Sequence, residues 1–279
     1  MKKPLLLVLV VFGLTACSTR FAYNNLDWLI HWYVDDYIAL NQWQKQTFNL
    51  NMEQWLEWHR QQELDQYRNH LLELDSDFKS QPMTEERWHH HFDRGQHHWL
   101  RLRDKVLPEL ASLAKALEDD QVNSLFEAME RDNLNLQDKY GETDPQDAIT
   151  KRTKQISKNL RQWLGRLTDE QRSLINDFAP QFIANNNLWL EHRRELQKQA
   201  RALLASRTTD PDFETKLIHL LQHPKTIANP VYVENGQANR NTYARLLATL
   251  WPTITAKQKA RLEGEIQDYL KDIRILQES

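Results

Sequence analysis

The chain is poor in three residue types. Its 279 residues include one Cys, six Gly and nine Pro. A single Cys excludes an internal disulfide framework. So few Gly and Pro leave little material for the turns of an all-β sandwich, or for a Gly-rich nucleotide-binding α/β fold. Apolar runs are short too: none reaches the roughly 20 residues needed to span a bilayer. The sequence has no His-Glu-x-x-His and no Gly-x-Ser-x-Gly. Glu86-x-x-His89 has no second copy, as a di-iron bundle would need. What remains is 40% hydrophobic and 27% charged, with a net charge of −3. That balance belongs to a globular protein rather than a disordered one.

The first residues form a targeting signal. Lys2 and Lys3 precede an apolar stretch from Leu5 to Leu14, of signal-peptide length. It ends in Leu14-Thr15-Ala16-Cys17. Small residues just before a Cys resemble the lipobox of bacterial lipoproteins. The resemblance implies a signal peptide over 1–16, cleavage before Cys17, and a tether over 17–23. It also implies a diacylglycerol and an N-acyl chain such as palmitate on Cys17. Each buried CH₂ contributes about 0.8 kcal/mol, so two or three chains hold a protein on a membrane. Ser18, where inner-membrane lipoproteins tend to carry Asp, implies the periplasmic face of the outer membrane. Cleavage removes 16 residues and two of the 36 basic side chains. The remaining 263 residues carry 34 basic and 39 acidic groups, a net −5. Charge and compartment together exclude a nucleic-acid partner.

Almost everything after residue 24 has helical periodicity. Trp88, Phe92, Gly95, Trp99, Leu102 and Val106 step by three and four, as do Tyr67, Leu71, Leu74 and Phe78. Helix starts recur as an apolar residue, then Asn or Thr, then Gln three later: Leu40-Asn41…Gln44, Leu167-Thr168…Gln171 and Ile254-Thr255…Gln258. These are capping boxes. The expected fold is all-α, an elongated bundle of about eight or nine helices. It is either one continuous domain or two lobes, over 24–140 and 145–279. Pro108 and Pro180 should kink or divide their helices. Residues 223–238 read as the longest irregular stretch, with Val231-Tyr232-Val233 as the one strand candidate.

Three clusters carry chemistry. Tyr23-Asn24-Asn25-Leu26-Asp27-Trp28, Trp32-Tyr33 and Asp36-Tyr37 form the first; Trp58-His59-Arg60, Glu63-Leu64 and Tyr67 form the second. With Arg161-Gln162-Trp163-Leu164-Gly165, Trp189 and Arg193, they resemble a lipoprotein family of Gram-negative bacteria known as a domain of unknown function. The resemblance implies a helical lipoprotein and supplies no activity, substrate or cofactor. The candidate binding residues are Trp28, Trp32, Asp36, Trp58, His59, Arg60 and Glu63. Asp36, His59, Arg60 and Glu63 form either a polar pocket between the first two helices or polar partners for half-buried aromatics.

The third cluster runs from Trp88 to Trp99 and holds five His. His90, Asp93 and His97 are weak metal candidates. On one helix, however, His90 and His97 stand about 10 Å apart. His91 and His98 flank the apolar stripe and suit buried donors. No cofactor other than the lipid is expected, and no enzyme activity. The leading expectation is a non-enzymatic interaction or envelope-assembly module, anchored in the outer membrane and bound to an envelope protein. Leu167-Thr168-Asp169-Glu170-Gln171 resembles the Leu-Thr-x-x-Gln motif of small periplasmic helical chaperones, so a chaperone or stress sensor is the first alternative. A metal-binding or pocket enzyme using His and Glu is the second.

Overall fold

The computed structural model describes residues 23, 25–80, 82–141 and 144–278. The signal segment, Cys17 and its tether through residue 22 lie outside them. Among the described residues there is no strand. The helices are α1 (Leu26–Asp35), α2 (Gln42–Trp58), α3 (Leu64–Ser80), α4 (Glu85–Lys115), α5 (Asp119–Tyr140) and α6 (Pro145–Leu164). They continue as α7 (Asp169–Phe178), α8 (Asn186–Ala205), α9 (Phe213–Gln222), α10 (Pro230–Leu250) and α11 (Ala256–Glu278). A π turn, His59–Glu63, joins α2 to α3 in one rod. Counting that rod once gives ten helices among the described residues, more than the eight or nine expected.

One local feature explains the difference. Pro180 divides what periodicity reads as one helix over 168–205: α7 ends in a 3₁₀ turn, Ala179–Gln181, before α8 begins. Pro lacks the N–H that would continue the ladder. Pro108 does not divide α4, which is helical from Glu85 to Lys115. The stretch 223–238 is also helical, with a 3₁₀ turn at Pro224–Ile227 followed by α10. Asn229 caps α10 by accepting from the Val231 N–H (3.0 Å), and Pro230 takes the first helical position. The strand candidate is therefore the first turn of a helix.

The capping glutamines do more than cap. Gln44 Nε2 donates to Gln121 Oε1 (2.9 Å), and Gln121 Nε2 donates back to Gln44 Oε1 (2.7 Å). Gln44 also reaches the Ala116 carbonyl, and Gln121 the Ala39 carbonyl. Gln171 and Gln258 repeat the pattern, exchanging bonds of 2.8 and 2.9 Å and reaching the Thr253 and Arg166 carbonyls. Each clasp thus ties two helix starts together through side chains that also satisfy orphan backbone groups. Gln121 closes a capping box at Glu118, a position the Asn/Thr pattern does not reveal.

The 31-residue α4 is the axis of the molecule. Trp88 and Phe92 pack against the largest core, which Ile156, Leu160, Ile175, Leu246, Leu250 and Ile266 supply from α6, α7, α10 and α11. Ala111 joins Val122, Phe126, Leu204, Phe213 and Leu217 from α5, α8 and α9. Leu113 joins Phe48 and Met52 of α2, with Ile30 and Val34 of α1. Glycine is required at Gly165, which ends α6 at φ +71° and ψ −136°.

Candidate functional site

The faces of α3 and α4 that meet carry a continuous chain of ionisable side chains, with Glu63 and His91 buried in it. The π turn sets this up. Leu64 N–H donates to the His59 carbonyl, so one extra residue enters the turn and rotates α3 against α2 by about 100°. Glu63 ends that turn with its side chain 1% exposed. Its partner is not Arg60 but Arg101 of α4, which grips it through two bonds: Nε to Oε2 (2.8 Å) and Nη2 to Oε1 (2.7 Å). Burial alone would raise the Glu63 carboxyl. The neighbouring His98 and the two bonds from Arg101 outweigh burial and hold it below the usual carboxylate range.

Three imidazoles continue from this pair. His98 Nε2 lies 3.1 Å from His70 Nδ1, and His70 Nε2 lies 3.2 Å from His91 Nδ1. His91 Nε2 lies 3.2 Å from Asp77 Oδ2, and Arg87 pairs with the other oxygen of Asp77 (2.8 Å). The His70 ring stacks between His91 (5.3 Å, 16°) and His98 (5.2 Å, 30°). Tyr67 meets His98 edge-on at 4.5 Å.

The tautomers follow from counting hydrogens. Arg101 Nη2 sits 2.5 Å from His98 Nδ1 and is a permanent donor. With His98 Nδ1 accepting, each neutral ring donates through Nε2, and the chain ends on the Asp77 carboxylate. Four of the five ring contacts are then met by one guanidinium N–H and three imidazole N–H groups, and the fifth, His98 Nδ1 to Glu63 Oε1 (3.0 Å), is bridged by Arg101 Nη2, which bonds both atoms. Burial favours the neutral state: His70 is pushed down to about 4, first by burial and then by His98, His91 and Arg94. His91 is also lowered by burial, against the pull of Asp77.

With a hydrogen on Nδ1 instead, His98 would donate to Glu63 Oε1, 3.0 Å away, in place of accepting from Arg101. Outside the ladder, Glu73 pairs with His90 (2.6 Å) and Arg94 (3.6 Å). On the far side of α3, Ile273 and Leu276 of α11 pack against Leu64.

The remaining candidates go elsewhere. His59 Nδ1 meets Tyr23 Oη at 3.0 Å, and its Nε2 meets Tyr67 Oη at 3.3 Å. Burial pushes His59 down to about 4, with Glu63 opposing. Trp58 stands edge-on to His59 at 6.4 Å, and the Arg60 guanidinium lies 5.9 Å from the Tyr23 ring centre. Asp36 is exposed at the end of α1 and does not join His59 or Glu63. Trp28 and Trp32 face solvent on α1. His90 turns to Glu73, Asp93 to Arg240 (2.6 Å), and His97 is exposed. Among the described residues, no group of three His, Cys, Asp or Glu side chains could hold a metal ion.

The chain matches the family of unknown function DUF6279 over residues 36–233. It belongs to that family. The DUF6279 match contains the π turn and every residue of the ladder, from Glu63 to Arg101. No curated protein and no solved structure matches the chain.

Sequence reasoning missed His70, Asp77 and Arg101. Their signal was present, because Glu63, Tyr67, His70 and Asp77 step by three, four and seven along one face. His91, His98 and Arg101 do the same on α4. Reading the two faces against each other would have found the ladder.

Proposed function

We propose that this DUF6279 protein is an outer-membrane lipoprotein, held by acyl chains on Cys17, that acts in the periplasm as a non-enzymatic interaction module. The observation that carries the reading is the outer face of α1. Trp28 and Trp32 are 63% and 41% exposed, one helical turn apart. They lie about 200° around the helix from Ile30 and Val34, which pack inward. From Cys17 to Tyr23 the chain reaches at most about 20 Å. Lipidation would therefore hold both indoles close to the bilayer surface, where amphipathic rings are favoured. There they either sit in the headgroup layer or meet a membrane-bound partner.

The test is crosslinking in living cells followed by fractionation and mass spectrometry. Intact protein should be recovered with outer membranes and with one recurring envelope partner. Cys17→Ser should leave an uncut, unlipidated precursor and lose that partner. Trp28→Ala with Trp32→Ala should keep the anchor and weaken the crosslink about tenfold or more. Recovery of Cys17→Ser as mature membrane-bound protein would sink the anchor. A spread of unfolded clients would favour a chaperone.

A stress-sensing role is the second reading, and the histidine ladder favours it. The ladder bridges α3 and α4 through imidazoles that burial keeps neutral, so acid strong enough to charge His70, which is held down to about 4, would part the α3–α4 seam. An acid-dependent change in the His70 ring signal, accompanied by loss of α3–α4 contacts while the rest of the fold holds, is the outcome that supports it.

A further inference from the structure

On the opposite side of α4 from the ladder lies a cleft of about 610 Å³. Its walls are the first half of α4, residue 185, the turn at Pro224–Ile227 and the start of α10. The volume is that of a small-molecule site. The lining is not. Such sites are mostly apolar with a few polar anchors, whereas here Gln96, Asn185, Gln237 and Asn241 all face the space. Asn185 is held at both ends by Tyr232 and Asn235, and Gln237 donates to Asn241 (3.0 Å), so the amides of Gln96 and Asn241 remain as donors and the carbonyl of Gln237 as an acceptor. That complement suits groups that donate and accept at one atom, which are hydroxyls. A bare phosphate or carboxylate would call for donors alone.

Other features narrow the chemistry. The Tyr232 ring stacks on His192 (5.2 Å, 28°), and its backbone carbonyl accepts from Asn185 Nδ2 (2.9 Å). The electron-rich face of such a ring attracts the polarised C–H groups on one side of a pyranose. Arg240 is pinned to α4: it donates to Asp93 (2.6 Å) and to the His89 carbonyl (3.1 Å), above the Phe92 ring. The wall is therefore set before any ligand arrives, which lowers the ordering cost of binding. Arg240 is neutralised by Asp93. Lys225 is not neutralised: it is exposed at the edge and has no carboxylate partner among the described residues. The cleft thus holds one spare positive charge.

We propose that this cleft binds an oligosaccharide carrying a carboxylate. The carboxamides take its hydroxyls, Tyr232 takes one ring face, and Lys225 takes the acid group. The site is distinct from the α1 surface that faces the membrane or partner.

Gly236 supplies a clean test. It lines the cleft, and a Cβ built there meets nothing within 4 Å. Gly236→Leu therefore fills the space without touching the core, and it replaces a weak helix former by a strong one. The full mature chain is titrated calorimetrically with trigalacturonate, maltotriose and citrate. Trigalacturonate should bind saturably, maltotriose about tenfold more weakly, and citrate not measurably. Gly236→Leu should weaken trigalacturonate about tenfold or more while the melting temperature holds or rises. Lys225→Gln should remove the preference for the acidic sugar. Failure of both sugars to bind would overturn the proposal, as would citrate displacing trigalacturonate, which would mark a plain anion site. Unchanged affinity in Gly236→Leu would place binding elsewhere, and equal affinity for the two sugars would remove the acid requirement.

Discussion

At the scale of single residues, the fully buried glutamines matter most. Gln171 is 0% exposed and makes bonds to Gln258 and to the Thr253 carbonyl besides closing its own cap. Replacing it by Leu removes the bonds to the Thr253 carbonyl and the Thr168 N–H, and takes one partner from each end of the Gln258 amide. Gln171→Leu should cost about 3 kcal/mol in urea unfolding, because leaving several buried partners unsatisfied outweighs the loss of a typical hydrogen bond. The surface change Gln155→Leu should stay within about 0.5 kcal/mol. The caps at Asn41, Thr168 and Thr255 were legible from their spacing. Their pairing was not, because nothing in a capping box states which other helix start it will face. The same limit applies to the ladder. The five His between Trp88 and Trp99 announce a polar face, but His70, on another helix, decides which of them cooperate.

At the scale of an element, the π turn is the informative one. Its residues, His59 to Glu63, have ordinary helical propensity, and no Pro or Gly marks it. Periodicity therefore reads 41–79 as one regular helix and assigns Glu63 to Arg60 at i, i+3. The extra residue is a tertiary choice. It lets Phe48 and Met52 face Leu113, near the end of α4, while Glu63 still meets Arg101 further back along it. Deleting Gln62, which is exposed, should convert the turn to regular α-helix and rotate α2 against α3 by about 100°. One of the two faces must then leave its partner. The expected result is a loss of several kcal/mol, with broadened resonances for either Phe48 or His98; unchanged stability would mean that the π turn has no bearing on register. Pro108 and Pro180 make the matching point. A proline warns of a break, and packing decides whether one occurs.

For the whole molecule, acid is the informative perturbation. His59 and His70 are held down to about 4 from 6.5, and His91 is lowered in the same direction. Between pH 6.5 and 4 the unfolded chain therefore binds protons that the folded chain refuses, so stability rises with pH through that window and is lost as pH falls through it. Glu63 and Glu73 are lowered carboxylates, which extend the loss below about pH 4.5. The melting temperature should fall by about 5 °C or more between pH 7 and pH 5. His59→Phe should flatten the slope; a slope identical to that of the unaltered protein would place the titration elsewhere.

The glutamine clasps also bear on order in time. The first clasp uses Ala39, Gln44, Ala116 and Gln121, and the second uses Arg166, Gln171, Thr253 and Gln258. In sequence the two sets are consecutive and never interleave. A chain delivered amino-end first has every atom of the first junction by residue 121, before any part of the second exists. Vectorial delivery, whether from a ribosome or through a translocation pore, can therefore fasten one half while the other is still arriving.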